Sequence, residues 1–244
     1  MGLGYDQLSM NSFSLQREIQ LRFLNPADIP DVKNLCSEWF PIEYPDTWYE
    51  DITSNPKFYS LAATYHNRII GLIVAEIKVK LKLNKEDADI LASFYPPNVQ
   101  VAYILSLGVV DDFRRHGIAS LLLDSLISYL TSTDTFDCKA LYLHVLSSNL
   151  IAIHFYERRS FQLHCFLPYY YAIQGKPRDG YSYVLYINDG QPPWSVFDYM
   201  MYCGKFLLHL QPCALPKQIV RTVRSWFCRF LTSAPPQTHS KHTS

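Results

Sequence analysis

The segment Val99 to Val110 is almost uninterruptedly apolar, and it constrains the fold more than any other part of the chain. A strand of that composition is buried on both faces, so it needs a layer of structure above and below it. Lys139 to Leu146 reads as a second buried strand. Between them Ile118, Leu121, Leu122, Ser125 and Tyr129 recur at helical spacing, which predicts a helix over Gly117 to Leu130; another follows over Asn149 to Arg158. Towards the N-terminus, Gln16 to Leu24 alternates as a half-buried strand. Asn25-Pro26 opens a helix running to Trp39, Asp46 to Thr53 reads as a short helix, and Phe58–Tyr65 and Ile69–Val79 form a hairpin around His66-Asn67-Arg68. Residues 80–98 read as a loop whose acidic cluster at 86–89 is solvated. Phe161–Phe166 and Tyr181–Ile187 are strands separated by an aromatic loop, Pro168-Tyr169-Tyr170-Tyr171. Alternation in the middle with antiparallel strands at the ends predicts an α/β fold with a mixed sheet.

Composition removes several classes of function. Lysine plus arginine equals aspartate plus glutamate, 22 each, so no basic excess points to nucleic acid. No run of 18 apolar residues predicts a transmembrane helix, and no basic-then-apolar start predicts a secretory signal. The six cysteines lack CxxC or other metal-ligand spacing and read as reduced thiols, so no metal is expected. The balance is uneven along the chain, however. No acidic residue follows Asp198, while Lys205, Lys217, Arg221, Arg224, Arg229 and Lys241 remain, giving +6 there and −6 before it.

The central buried strand runs straight into Asp111-Asp112-Phe113-Arg114-Arg115-His116-Gly117-Ile118-Ala119-Ser120. A basic, glycine-containing turn that opens a helix offers free N–H groups, the positive end of the helix dipole and arginine charge to an anion. It matches neither GxGxxG nor GxxxxGK[ST], so neither a dinucleotide fingerprint nor a P-loop is present.

Arg114-x-x-Gly117-x-Ala119 resembles the acyl-CoA signature of the GNAT acetyltransferases, and the order of elements over residues 16–187 is similar to theirs. Within that superfamily, Trp39 to Pro45, Val101 to Val109, Tyr142 to Val145 and Leu167 to Tyr171 resemble the Golgi-associated, NatF-type Nα-acetyltransferases. The resemblance implies a GNAT acyl-CoA-binding fold, with acetyl-CoA as co-substrate and protein N-terminal peptides as acceptors. Those beginning with methionine are implied above all (Met-Lys, Met-Ala, Met-Val and Met-Met), especially on transmembrane proteins with cytosolic N-termini. Histone H4 lysine acetylation, and with it a chromatin-regulating role, is the alternative. An inactive acyl-CoA-binding membrane adaptor is a third.

Acetyl transfer to an amine requires loss of an amine proton and polarisation of the thioester carbonyl. Tyr103 on the first buried strand and His144 on the second are each a polar residue among aliphatics, and the resemblance makes them catalytic. A histidine near 6.5 is matched to an α-ammonium at about 7.7–8.0, whereas a tyrosine near 10 must be lowered or act through water. By the same resemblance Leu107, Gly108 and Val109 form a bulged segment that meets the pantetheine arm and thioester. Arg114, Arg115, His116, Gly117, Ile118, Ala119 and Ser120 meet the pyrophosphate, and Asn149, Tyr156 and Arg159 complete the cofactor site. The resemblance also implies a substrate groove with Phe40, Glu43 and Tyr44 on one side and Tyr169 to Tyr171 on the other, Tyr171 matching the family's substrate tyrosine, with Leu105 and Ser147 beside it.

The expected organisation is a flexible 1–14, a catalytic domain over 15–190 and a basic membrane-associating tail over 191–244. On a helical wheel over 217–231, Lys217, Arg221, Arg224 and Arg229 oppose Ile219, Val223, Trp226, Phe227, Phe230 and Leu231, and 194–210 behaves similarly. Such helices lie in a membrane interface. With the resemblance, this predicts a peripheral protein on the cytosolic side of Golgi membranes, held through residues 192–231. A weak homodimer through loop 168–177 is a further expectation.

Overall fold

A computed structural model describes residues 18–132 and 137–193; the N-terminal 17 residues and the basic tail lie outside the described residues. Seven strands form one sheet in the order β1-β2-β3-β4-β5-β7-β6, with β1 Gln20–Phe23, β2 Phe58–Tyr65, β3 Arg68–Val79, β4 Gln100–Val109, β5 Cys138–Leu146, β6 Gln162–Ile173 and β7 Lys176–Tyr186. Only β4 and β5 run parallel, so the sheet is mixed, as the sequence pattern required. Among the described residues four α-helices accompany it: α1 Ile29–Trp39, α2 Asp46–Ser54, α3 Ile118–Thr131 and α4 Leu150–Glu157.

Alternation along the strands separates two cores. Leu72 and Val74 pack with Val32 and Cys36 of α1 and Tyr49 and Ile52 of α2. Ile73, Ile104, Leu141 and Leu143 face the other way onto Leu122, Leu126 and Leu130 of α3 and Ile153 of α4. This explains the long apolar runs: β4 and β5 are covered on both sides. The entry to α1 uses the expected cap. Asn25 Oδ1 accepts from Ala27 N at 3.0 Å, Asn25 N donates to Asp28 at 2.8 Å, and Arg22 forks onto both Asp28 oxygens at 2.7 and 2.8 Å.

Three sequence expectations change. The first strand is shorter than 16–24 suggested, spanning Gln20–Phe23. The acidic cluster 86–89 is not simply a solvated loop: Asp87 is fully buried, and Ile90 and Leu91 after it enter a third core with Val101, Tyr142 and Val184. The aromatic segment 168–171 is not a free loop either. It belongs to β6, where pairing steps from Leu167↔Gly180 to Tyr171↔Arg178, so four steps on β6 oppose two on β7. Pro168 cannot donate to a ladder, Tyr169 turns through a φ of 55°, and its N–H is taken by Asp179 Oδ1 at 2.9 Å. The bulge brings Tyr170 against His144 of β5, with ring centroids 4.6 Å apart.

Candidate active site

Strands β4 and β5 pair in parallel only from Gln100↔Cys138 to Ile104↔Leu143. Beyond that β5 continues against β7 alone and β4 against β3 alone. A V-shaped opening results, along which the backbone of residues 105–109 has no strand partner on the β5 side. The register jump from Ala75↔Ile104 to Val74↔Ser106 leaves Leu105 as an extra residue, so the bulge lies at Leu105 and not within 107–109. Ser106 is buried and meets the Tyr44 hydroxyl at 3.4 Å. Gly108 also has a packing reason. A Cβ there would sit 2.2 Å from the Trp39 ring, so the glycine admits the tryptophan that ends α1.

The turn after β4 begins with Val110 N donating to Ile70 O at 2.9 Å. Arg114 is its brace: Nε donates to Val109 O at 3.0 Å and Nη2 pairs with Asp111 at 2.6 Å. Arg115 (φ 64°) and Gly117 (φ 83°) both take left-handed backbone, and α3 starts at Ile118. In an α-helix the first N–H groups have no intrahelical acceptor, so Ile118, Ala119 and Ser120 present donors beside exposed Arg115 and half-buried His116. The site fits a pyrophosphate by backbone and dipole, with Arg115 the more available arginine. Asn149 caps α4, accepting from Ala152 N at 3.2 Å, and Arg159 pairs with Asp124 of α3. The structure thus gives Asn149 and Arg159 structural partners within the cofactor side of the fold.

At the apex of the opening Tyr103 and His144 meet: the hydroxyl lies 3.1 Å from His144 Nδ1. Sequence reasoning expected this pair, but two partners were missed. Tyr170 places its hydroxyl 2.7 Å from the same Nδ1, and Asp87 lies 2.8 Å from Nε2. The His144 and Asp87 side chains are 1% and 0% exposed. Burial pushes the Tyr103 hydroxyl well above the usual tyrosine value, helped by Tyr170, Tyr171 and Tyr142; burial likewise raises Tyr170 to about 12. Both are therefore phenols at neutral pH. Of the two options expected for Tyr103, a lowered hydroxyl gives way to donation and relay. A signal for Asp87 was present: an apolar run, Ile90-Leu91-Ala92, starts three residues after it.

Where the substrate groove is expected, an aromatic wall borders the opening. Tyr44 stacks on Trp48 at 4.1 Å, and Phe40 meets Tyr44 edge-on at 6.3 Å. Tyr171 stands edge-on to Tyr170 at 5.0 Å, and its hydroxyl is pushed up first by burial, then by Tyr170, Tyr44 and Tyr156. Tyr156 is buried between Phe155 and Phe161. Leu105 packs on the α1–α2 core, and Ser147 follows the end of β5, its N–H bonded to Asp179 O at 2.9 Å. Glu43 is exposed.

The acetyltransferase (GNAT) family pattern matches residues 29–161. The chain is 59% identical over 214 residues to N-alpha-acetyltransferase 60 of Danio rerio, covering 88% of each. Among solved structures it resembles Arabidopsis thaliana NAA60 in complex with a bisubstrate analogue, with TM-score 0.63 and 30% identity, over 70% of this chain and 98% of that one. The same Arabidopsis protein in complex with acetyl-CoA gives TM-score 0.62 and 29% identity, over 70% and 99%.

Proposed function

The chain belongs to the GNAT acetyltransferase family, and we propose that it acetylates the α-amine of protein N-termini beginning with methionine. That it is an acyltransferase using acetyl-CoA, and an N-terminal acetyltransferase, follows from the relatives. The methionine preference, the membrane-protein acceptors and the residue roles are our reading. The observation that carries it is the meeting of Tyr103 and His144 at 3.1 Å where β4 and β5 part.

Acetyl-CoA supplies a thioester carbon for attack by the amine; a C–N bond forms and the C–S bond breaks. The residues manage the proton. His144, reached through the Tyr103 hydroxyl, takes it from the amine, and backbone N–H groups along residues 105–109 polarise the thioester oxygen. Arg115 and the first turn of α3 hold the pyrophosphate. Phe40, Tyr44 and Tyr171 shield an extended peptide from water, as tyrosines do when one end is apolar and the other binds. The aromatic wall supports an apolar first side chain such as methionine.

The test is a panel of Met-Lys, Met-Ala and Ser-starting peptides beside a histone H4 peptide. Faster transfer to the methionine N-termini supports the reading. Preference for H4 lysines would favour the histone alternative, and no transfer to any peptide would favour an acyl-CoA-binding adaptor.

The catalytic unit, in this reading, works on the cytosolic face of Golgi membranes. Support comes from the acid-free basic segment after Asp198 and its apolar Trp226, Phe227 and Phe230. An anionic surface attracts by about 1 kcal/mol per nearby basic residue, and salt screens this, so the aromatic side must contribute. A Trp226→Glu, Phe227→Glu variant of the full chain should leave the membrane fraction with peptide turnover unchanged. Retention on the membrane would move the anchor elsewhere. Exposed Tyr169 and the hairpin tip Gln174-Gly175 form the surface we assign to weak self-association, measurable by sedimentation.

A further inference from the structure

A neutral imidazole carries one N–H and one acceptor nitrogen, and catalysis depends on which is which. In this protein the surroundings decide. Asp87 Oδ1 lies 2.8 Å from His144 Nε2, and a carboxylate can only accept. The other oxygen, Oδ2, is buried with no hydrogen-bond partner among the described residues, so the imidazole N–H is the donor that holds this carboxylate. On the opposite edge of the ring, Nδ1 faces two hydroxyls, Tyr170 at 2.7 Å and Tyr103 at 3.1 Å. Nδ1 has one in-plane lone pair, so two full donations cannot coexist. Of the two hydroxyls, the closer one belongs to Tyr170.

From this geometry we propose that Asp87 is a positioning residue that fixes His144 as the Nε2–H tautomer, and that Tyr170 shares with Tyr103 the transfer of the proton to Nδ1. The inference rests on the acetyl-transfer reading above and deepens it. As the C–N bond forms, the amine proton passes to a tyrosine oxygen while that hydroxyl's own proton passes to Nδ1. No net charge develops on tyrosine. The imidazolium so formed keeps Nε2–H against Asp87, then returns the Nδ1 proton through the same hydroxyls to water, and the CoA thiolate leaves. Asp87 touches neither substrate nor acyl group; it acts through the ring. The β6 bulge supplies Tyr170, and the burial of Ile90 and Leu91 anchors the loop that supplies Asp87.

The experiment uses the full chain labelled with 15N and long-range proton–nitrogen correlation of the imidazole at neutral pH. The His144 signals are identified by their loss in His144→Ala. The expected pattern is Nε2–H in the unmodified protein. In Asp87→Asn the side-chain amide can turn its NH₂ to the ring, so the pattern should move towards Nδ1–H. Turnover should then fall by about 10²-fold, with the KM for acetyl-CoA within twofold. Tyr170→Phe should lower kcat by about threefold to tenfold, and the Tyr103→Phe, Tyr170→Phe double variant should fall below either single one.

An Nδ1–H or doubly protonated ring in the unmodified protein would overturn the tautomer assignment, and it needs no variant to fold. A folded Asp87→Asn with unchanged kcat would overturn the positioning role, and unchanged kcat in Tyr170→Phe would overturn the sharing. Absence of any peptide acetylation by the unmodified protein would instead refute the activity, leaving the ring's tautomer to be read independently.

Discussion

The apex of the β4–β5 opening and the turn at the start of α3 are both polar, yet they are built by opposite means. At the apex, side chains hold one another: His144 and Asp87 are 1% and 0% exposed, and Tyr103 and Tyr170 close the network. At the turn, backbone does most of the work through left-handed Arg115 and Gly117 and the free amides of α3, while the Arg114–Asp111 pair is 52% and 69% exposed. Water screens the second region and not the first. A surface ion pair contributes about 0–1 kcal/mol, whereas a buried polar group robbed of its partner loses about 1–3 kcal/mol. The apex should therefore govern turnover, and the turn should govern cofactor affinity.

The largest effect expected is on turnover. His144→Ala should reduce kcat by about 10²-fold or more while acetyl-CoA affinity stays near normal. Rapid-quench kinetics would separate chemistry from product release, and near-normal kcat would erase the distinction between the regions. Arg115→Glu is the reciprocal change. Calorimetric titration should find acetyl-CoA bound about tenfold more weakly, with kcat at saturation preserved, because a carboxylate then faces the pyrophosphate.

Salt sharpens the comparison further. Raising ionic strength from about 0.05 to 0.5 M should increase the KM for acetyl-CoA a few-fold and leave kcat flat. A kcat that tracks salt would place screened charge at the apex. The smallest effect is on stability in alkali. Burial raises Tyr170 in the fold to about 12, against about 10 in an unfolded chain. The unfolded state thus loses its proton first, so this contribution is complete below pH 10 and disappears as pH climbs towards 12. Denaturant titration should show a shallower alkaline decline in Tyr170→Phe than in the unmodified chain.

What the sequence revealed divides along the same line. The buried strands were legible because their apolar runs are local, and the turn was legible because Gly117 follows the arginines at fixed spacing before a helical pattern. The Tyr103–His144 pair was readable as two polar residues interrupting two such runs. Asp87 was marked only by the apolar run that follows it, because its burial depends on Ile90 and Leu91 packing against β4, β5 and β7, contacts far away in sequence. Tyr170 escaped for a similar reason: alternation through Pro168 to Tyr171 is broken by the bulge, so a strand looked like a loop. Arg114 and Gly108 stand out in the sequence, but their protein partners, Asp111 with Val109 for the arginine and Trp39 for the glycine, are visible only in the fold.

The central claim is that this site acetylates an α-amine and not a side-chain amine. A Met-Lys peptide offers both amines on one molecule, so it is the most direct test. After incubation with the full chain and acetyl-CoA, fragmentation mass spectrometry locates the acetyl group. The expected result is acetyl on the methionine nitrogen alone, with the lysine free and the product formed about 10²-fold more slowly in His144→Ala. Acetyl on the lysine Nζ, or equal labelling in the His144 variant, would contradict the account.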